Sequence, residues 1–157
     1  MKRRNDNDYY LNHLFDGTVN KSGSIFLDSR CSLEDEHILI HGHNMGDGSM
    51  FRDLNLFRSR KFLDAHPAFW ILTPEQTYKV QILSGSIVGI DSPVWQLDFP
   101  TAGSKHSWLS ECHDAAYIRT PVQPSAADQI VTLSTCSYEF DQARWIVQGY
   151  ITDNNHH

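Results

Sequence analysis

The sequence contains little cysteine. Only Cys31, Cys112 and Cys136 occur among its 157 residues, and no two of them form a C-x-x-C pair. Three cysteines cannot build a disulfide framework, and their spacing gives no zinc or redox motif. At most one disulfide can form, so at least one thiol is left over. This raises the question of whether that thiol is reactive.

Long hydrophobic runs and an excess of positive charge are also missing. No segment reaches the roughly 18 consecutive apolar residues expected of a membrane-spanning helix. The letters "NDND" follow Met1-Lys2-Arg3-Arg4, where a signal peptide would be apolar. A net charge of −6 provides no basic surface for nucleic acid. We expect one domain over residues 1–157, without a nucleic-acid partner or an export or membrane signal of its own.

Short β-rich runs, bounded by Gly, Pro, Asn and Asp, dominate what is present. They follow one another too closely for a helix to lie between each pair. This spacing favours a mainly antiparallel barrel or sandwich. The predicted strands cover 22–28, 37–42, 68–73, 77–90, 129–135 and 144–151.

Helix signals are fewer. In "DGSMFRDLNLF" Ser49 can cap a helix whose first turn contains Asp53. A second helix is predicted within 101–118, inside the longest connection between strands, about 90–129, and a connection of that length often forms a lid or groove wall. The apolar residues that recur at helical spacing are Met50, Leu54 and Phe57 in the first segment, and Trp108, Leu109, Cys112 and Ala116 in the second.

Two histidines close to each other in "HILIHGHNMGDGSMF", His41 and His43, admit several interpretations. Because residues i and i+2 of a strand face the same side, the pair could bind zinc. A third ligand would be needed, and neither Cys136 nor His37 stands at a supporting spacing. Alternatively, one histidine carries protons, or both are ordinary strand residues.

A thiol and a guanidinium are expected at one end of the sheet. In "IVTLSTCSYEFDQARW" a β-rich run ends at Cys136, and Arg144 begins the next run eight residues later. If the connection is hairpin-like, both side chains can project into one space. A nearby cation favours the thiolate, a proton shuttle such as His43 can protonate a leaving amine, and Arg144 can stabilise an oxyanion. Every role that acyl transfer through a thiol requires therefore has a candidate residue.

These motifs resemble a known family. "YYLNH", "GSIFLD", "HGHNMGDGSMF" and above all "TLSTCSYEFDQAR" are similar to the class B sortases, cysteine transpeptidases of Gram-positive bacteria. The similarity extends from about Asp8 to Ile151. The TLxTC strand with Arg eight residues after Cys is specific for such a protein, whereas a papain-like hydrolase would carry its cysteine at the start of a long helix.

The resemblance implies roles for individual residues. It makes Cys136 the nucleophile, His43 the general acid and base, and Arg144 the residue that holds the substrate and its oxyanion. The thiol and imidazole are expected to rest mainly as a neutral pair, with activity near neutral pH. For substrate binding the resemblance indicates Ser134, Ser137, Asn7 and Leu11, of which the two serines flank the nucleophile.

The resemblance also implies a fold, substrates and a location. The fold is a closed eight-stranded β-barrel with peripheral helices, one of them in the 90–129 connection. Surface proteins with a sorting signal resembling Asn-Pro-x-Thr-(Asn or Gly) would be cleaved after Thr and joined to a peptidoglycan amine. No cofactor or metal is implied. A monomer at the extracytoplasmic face of the membrane is expected, although the family's membrane anchor and N-terminal helical region are absent before Asp8.

One residue departs from the family's usual pattern, and one alternative function stays open. His41 stands where an aromatic Tyr is common, which leaves His43 in register. The alternative function is a catalytically weak or inactive peptide-binding barrel, and the zinc-binding protein is the weaker possibility. Turnover would separate the enzyme from the inactive barrel.

Overall fold

The computed structural model describes residues 13–14, 18–20, 23–47 and 50–156. Within these ranges the chain forms seven strands and two α-helices, with short 3-10 helices between them. The strands are β1 (Phe26–Leu27), β2 (His37–His41), β3 (Ala68–Leu72), β4 (Gln76–Val88), β5 (Ile118–Arg119), β6 (Ile130–Cys136) and β7 (Arg144–His156). The α-helices are α1 (Arg60–Ala65) and α2 (Ala102–Asp114).

One mainly antiparallel sheet contains all seven strands. Its order is β1-β2-β6-β7-β4-β3, and β5 pairs with β4 beyond the stretch occupied by β3. The prediction of a mainly β fold with few helices is confirmed. An eighth strand and closure of the sheet are not seen among the described residues, where the hydrogen-bonded order ends at β1 and β3.

The pairing of β2 with β6 is the exception to the antiparallel pattern. These two strands run parallel, with His37 opposite Ile130 and His41 opposite Ser134. Both are buried along most of their length, as expected for a parallel pair covered on both faces. Their carboxyl ends therefore reach the same edge of the sheet, which is the edge where Cys136 ends β6.

A 3-10 helix, Arg52–Arg58, replaces the first predicted helix. Asp53 lies in its first turn as expected, and Leu54 is buried against the main core. Phe51 occupies the position before the helix without a capping side chain, while the predicted cap Ser49 lies outside the described residues. The apolar spacing was therefore sufficient to place a helical segment, but not to give its type.

The second predicted helix is confirmed as α2. It begins with a capping box in which Thr101 and Ser104 exchange side-chain and backbone hydrogen bonds. Trp108 and Leu109 bury their side chains against Leu83 and other residues of a second apolar cluster. The helix thus covers one part of the sheet. No helix in the described ranges is long and apolar enough to cross a membrane.

Candidate active site

The ends of β6 and β7 bring the predicted thiol and guanidinium side by side. Cys136 is the last residue of β6, Arg144 is the first of β7, and the two are direct partners in the antiparallel register. Both side chains are half-buried. The turn between them lets Ser137 N–H donate to the carbonyl oxygen of Ala143 at 2.9 Å. The hairpin-like connection predicted from their spacing therefore forms.

The parallel pairing of β2 places His43 near the same edge. The backbone N–H of Gly42 donates to the carbonyl oxygen of Ser134 at 3.1 Å, which extends the register one residue beyond β2. His43 follows, and its carbonyl oxygen accepts from Phe51 N–H at 2.8 Å. Asn44 fixes the segment further, because its Nδ2 donates to the carbonyl oxygen of Cys136 at 3.1 Å.

Glycine is needed at position 42 because the Phe51 ring packs directly against its backbone. A Cβ atom added to Gly42 would come within 2.8 Å of the Phe51 ring and within 3.2 Å of Ile25. The close approach holds the histidine segment between β2 and the residues before the 3-10 helix. The Gly-His sequence of the motif therefore has a packing reason.

The predicted catalytic residues share a cleft of about 400 Å³, which we call the catalytic cleft. Cys136, His43, Arg144 and Ser134 all line it, as predicted from the sequence. Its remaining lining residues are Phe26, Asp28, Arg30, His41, Gly42, Ile90, Trp95 and Thr135. Ile90 and Trp95 come from the 90–129 connection, whereas α2 contributes no lining residue. The groove wall expected from this connection is thus formed by the segment before the helix.

Of the predicted substrate-binding residues that the structure describes, Ser137 does not line the catalytic cleft. Ser137 is buried on the other side of Cys136, where its hydroxyl accepts from Arg58 Nη2 at 2.7 Å and donates to Glu139. It lines a separate cleft, described below, so the structure does not place it with Ser134. Asn7 and Leu11 lie outside the described residues.

An ionic cluster in the wall of the catalytic cleft was not found from the sequence. The Asp28 carboxylate is 1% exposed and contacts His41 Nε2 at 2.9 Å, while Arg30 binds it through Nε at 3.0 Å and Nη2 at 3.2 Å. Burial raises the pKa of Asp28, but the hydrogen bonds from His41 and Arg30 outweigh burial and lower the pKa below its usual value. Asp28 stands in "GSIFLD", part of the family resemblance, but nothing in that motif indicated its partner.

The Nε2 atom of His41 is therefore engaged by Asp28. His37, one of the two residues considered as a third zinc ligand, is buried. Its ring nitrogens lie 2.7 Å from the carbonyl oxygen of Gln96 and 2.8 Å from Thr132 Oγ1. Within the described part of the chain, no group of three His, Cys, Asp or Glu side chains could hold a metal ion. The zinc hypothesis has no ligand set there.

A second cleft lies next to the catalytic cleft and shares no lining residue with it. We call it the polar cleft, because nearly all of its side chains carry charges, amides or hydroxyls. It has a volume of about 510 Å³ and is lined by Asn44, Arg52, Asn55, Arg58, Ser137, Tyr138 and Glu139.

Comparison with known proteins gives a consistent result. No family model matches the chain. Sortase B of Listeria monocytogenes is 36% identical over 148 residues, 92% of this chain, and sortase B of Staphylococcus aureus is 27% identical over 85% of it. The chain spans about 60% of the length of the first of these curated relatives and 55% of the second.

Solved structures give the same family. The structure of sortase B from Listeria monocytogenes has 36% identity and a TM-score of 0.83, over 94% of this chain and 83% of that one. A Staphylococcus aureus sortase B–substrate complex has 26% identity and a TM-score of 0.88, over 96% and 72%. A sortase B complexed with triglycine has 26% identity and a TM-score of 0.87, with the same coverage.

Proposed function

The chain belongs to the class B sortase family, and we propose that it is a cysteine transpeptidase acting through a thioester on Cys136. One observation carries the proposal: Cys136, Arg144 and His43 converge on a single cleft at the carboxyl ends of β2 and β6. A thiol, an imidazole and a guanidinium are the groups that thiol acyl transfer requires.

In the first step, Cys136 Sγ attacks the carbonyl carbon of the scissile peptide bond. Negative charge develops on the carbonyl oxygen, and the Arg144 guanidinium stabilises it from the adjacent strand end. His43 takes the proton of the Cys136 thiol and donates it to the leaving amine, so the carbon–nitrogen bond breaks and a thioester remains. In the second step, an amine attacks the thioester, the carbon–sulfur bond breaks, and Cys136 regains its proton through His43.

The proposed acyl donor is a sorting signal resembling Asn-Pro-x-Thr-(Asn or Gly), cleaved after Thr, and the proposed acceptor is a peptidoglycan amine. Support for these partners comes from the relatives, one solved as a complex with substrate and another with triglycine. We place Ser134 in the donor groove because it is buried in the wall of the catalytic cleft beside the nucleophile's strand end.

Further expectations rest on the family. We propose that the protein acts as a monomeric domain at the extracytoplasmic face of the membrane, and that Asn7 and Leu11 contact the donor. An eighth strand that closes the barrel remains a prediction. The competing proposal, an inactive peptide-binding barrel, predicts no turnover.

A quenched Asn-Pro-x-Thr peptide tests the proposed function. Cys136→Ala and His43→Ala should reduce cleavage to background, because each removes a group that the chemistry requires. Cys31→Ala and Cys112→Ala are the matched controls and should retain cleavage, and His41→Ala should retain more cleavage than His43→Ala. Equal loss in all three cysteine variants, or a stable wild-type protein that never cleaves the peptide, would contradict the assignment.

A further inference from the structure

Two arginines line the catalytic cleft, and the proposed chemistry uses only one of them. Arg144 is the strand partner of Cys136 and is assigned to the scissile carbonyl. Arg30 follows β1, which lies two strands away from β6 in the sheet. Adjacent strands are about 4.8 Å apart, so β1 lies roughly 10 Å from the nucleophile's strand. Two extended side chains, one from Arg30 and one from a peptide residue next to the scissile bond, can together span this distance.

A buried carboxylate fixes the guanidinium of Arg30 from one side. Asp28 is 1% exposed, and it accepts hydrogen bonds from Arg30 Nε at 3.0 Å and from Nη2 at 3.2 Å. The same carboxylate contacts His41 Nε2 at 2.9 Å, so it is held in place by a second strand. These contacts restrain the long side chain of Arg30 in the free protein. A ligand bound by this guanidinium would therefore lose less conformational entropy.

The outer side of the same guanidinium is free to bind a ligand. A guanidinium carries five N–H donors, and Asp28 accepts from two of them, which leaves three. Arg30 makes no other side-chain hydrogen bond within the part of the chain that the structure describes. Its side chain is 58% exposed, whereas Asp28 is buried. The positive end of this ion pair is therefore the end that solvent and ligands can reach.

The catalytic cleft is cationic although the protein is acidic. The chain has a net charge of −6, but the cleft is lined by two guanidinium groups and one carboxylate, a net charge of +1 with neutral histidines. The aromatic rings of Phe26 and Trp95 form part of the same lining. A largely apolar cleft with one available guanidinium suits a peptide that carries a single carboxylate side chain.

We propose that Arg30 determines donor specificity by binding a carboxylate side chain at position x of the sorting signal. This assignment rests on the proposed transpeptidase function. In Asn-Pro-x-Thr-(Asn or Gly) only x is left open, and it stands next to the Thr whose carbonyl carbon Cys136 attacks. A carboxylate at x can accept two N–H groups from the end of the guanidinium that Asp28 leaves free. Donor proteins with Asp or Glu at x are thus the preferred substrates.

Two quenched peptides test this specificity, one with Glu at x and one with Gln, because they differ in charge and hardly in shape. At pH 7.5 wild-type protein should cleave the Glu peptide with a KM about three- to tenfold lower, the range expected for a charge-assisted contact at a half-exposed site. The kcat values should be similar, since the contact is made equally in the ground state and the transition state. Raising NaCl from 50 mM to 500 mM should reduce the KM ratio through screening.

Arg30→Gln should bring the KM ratio of the two peptides close to one. The ratio is measured within one variant, so a general loss of activity cancels. Asp28 keeps its contact with His41 and the hydrogen bond from the backbone N–H of residue 30, at 3.0 Å, which supports folding of this variant. Arg30→Lys should keep part of the preference, since an ammonium lacks the planar fork.

Lys61→Gln is the matched control for the loss of one positive charge. Lys61 is exposed on α1 and does not line the catalytic cleft. This variant should keep the wild-type KM ratio. A wild-type ratio below about twofold, or a preference for Glu that survives Arg30→Gln, overturns the role of Arg30 and leaves the thioester chemistry intact.

Binding without turnover distinguishes the failure of this proposal from the failure of the transpeptidase. Fluorescence anisotropy of labelled peptides with the Cys136→Ala protein should show tighter binding of the Glu peptide, and Arg30→Gln added to this variant should remove the difference. If wild type cleaves neither peptide, such a difference contradicts the transpeptidase and supports the role of Arg30. Equal binding of the two peptides overturns the role of Arg30.

Discussion

At the scale of single residues, the three cysteines differ in surroundings although all are free. Cys31 is fully buried in the main core, and burial raises its pKa. Burial, followed by the charge of Glu111, raises the pKa of Cys112 to about 12. Cys136 is half-buried, and it lines an open cleft beside Arg144.

Alkylation should therefore be selective for Cys136. A limiting amount of iodoacetamide at pH 7.5, with peptide mapping by mass spectrometry, should modify Cys136 at least about 10-fold faster than either other cysteine, because the thiolate is the reacting form. The same reagent added to unfolded protein provides the control, since all three should then react at similar rates. Faster modification of Cys112 in the folded protein would remove the basis for this prediction.

Residue-level prediction from sequence succeeded where the chain itself brings groups together. Cys136 and Arg144 are eight residues apart and become direct partners because a short connection joins their strands. The partnership of Asp28 with His41 joins different strands and depends on side-chain orientation, which no local pattern records. Ser137 faces the polar cleft for a similar reason, because the chain turns immediately after β6.

At the scale of elements, the segment that follows β2 depends on the close packing of Gly42 against Phe51. Gly42→Ala should displace His43 and cost about 1–3 kcal/mol in the free energy of unfolding, the usual cost of overpacking. If His43 is the proposed acid and base, its misplacement should also lower kcat/KM for the proposed sorting peptide by roughly 10- to 100-fold. Urea denaturation and steady-state kinetics measure the two effects.

Gly46→Ala is the matched control for this segment. Apart from its chain neighbours, no atom of the described residues lies within 4 Å of the position that a Cβ on Gly46 would take. The free energy of unfolding of the Gly46→Ala variant should stay within about 0.5 kcal/mol of wild type, and its kcat/KM should be unchanged. Equal effects of the two substitutions would mean that loop flexibility, rather than the Phe51 contact, positions His43.

The longer elements could be predicted from sequence and the shorter ones could not. Five of the predicted strands have enough β-rich residues to be recognised. Their observed first residues lie within a few positions of the predicted starts at 37, 68, 77, 129 and 144. β5 contains only Ile118 and Arg119 and exists because β4 has a free edge there. Its two residues carry too little pattern to reveal such a pairing.

At the scale of the whole molecule, the buried His37 makes stability dependent on pH. The pKa of His37 is lowered to about 4. Burial is the main cause, and the positive charge of Lys105 makes a smaller contribution. Because the unfolded histidine has a pKa near 6.5, the unfolded state binds more protons than the folded state between these values. Stability should therefore fall as pH falls through this window.

The free energy of unfolding should decrease by about 2 kcal/mol between pH 7 and pH 5 on account of His37. Urea titrations at both pH values measure the decrease. His37→Gln should remove most of it, whatever its own stability, whereas His106→Gln should leave it, because His106 is exposed. A decrease of equal size in His37→Gln would assign the acid sensitivity to other groups, such as His113, whose pKa burial also lowers.

The parallel pairing of β2 with β6 controls when the thiol can become reactive. His43 and Cys136 are about ninety residues apart in the sequence, and the strands that join them form a long-range contact. Such contacts form slowly, because the chain between them must first be ordered. During synthesis from the amino terminus, Cys136 appears after His43 and before Arg144. Until β2 pairs with β6, the chain thus holds Cys136 apart from His43, and the proposed peptide-cleaving activity should begin only after these strands have paired.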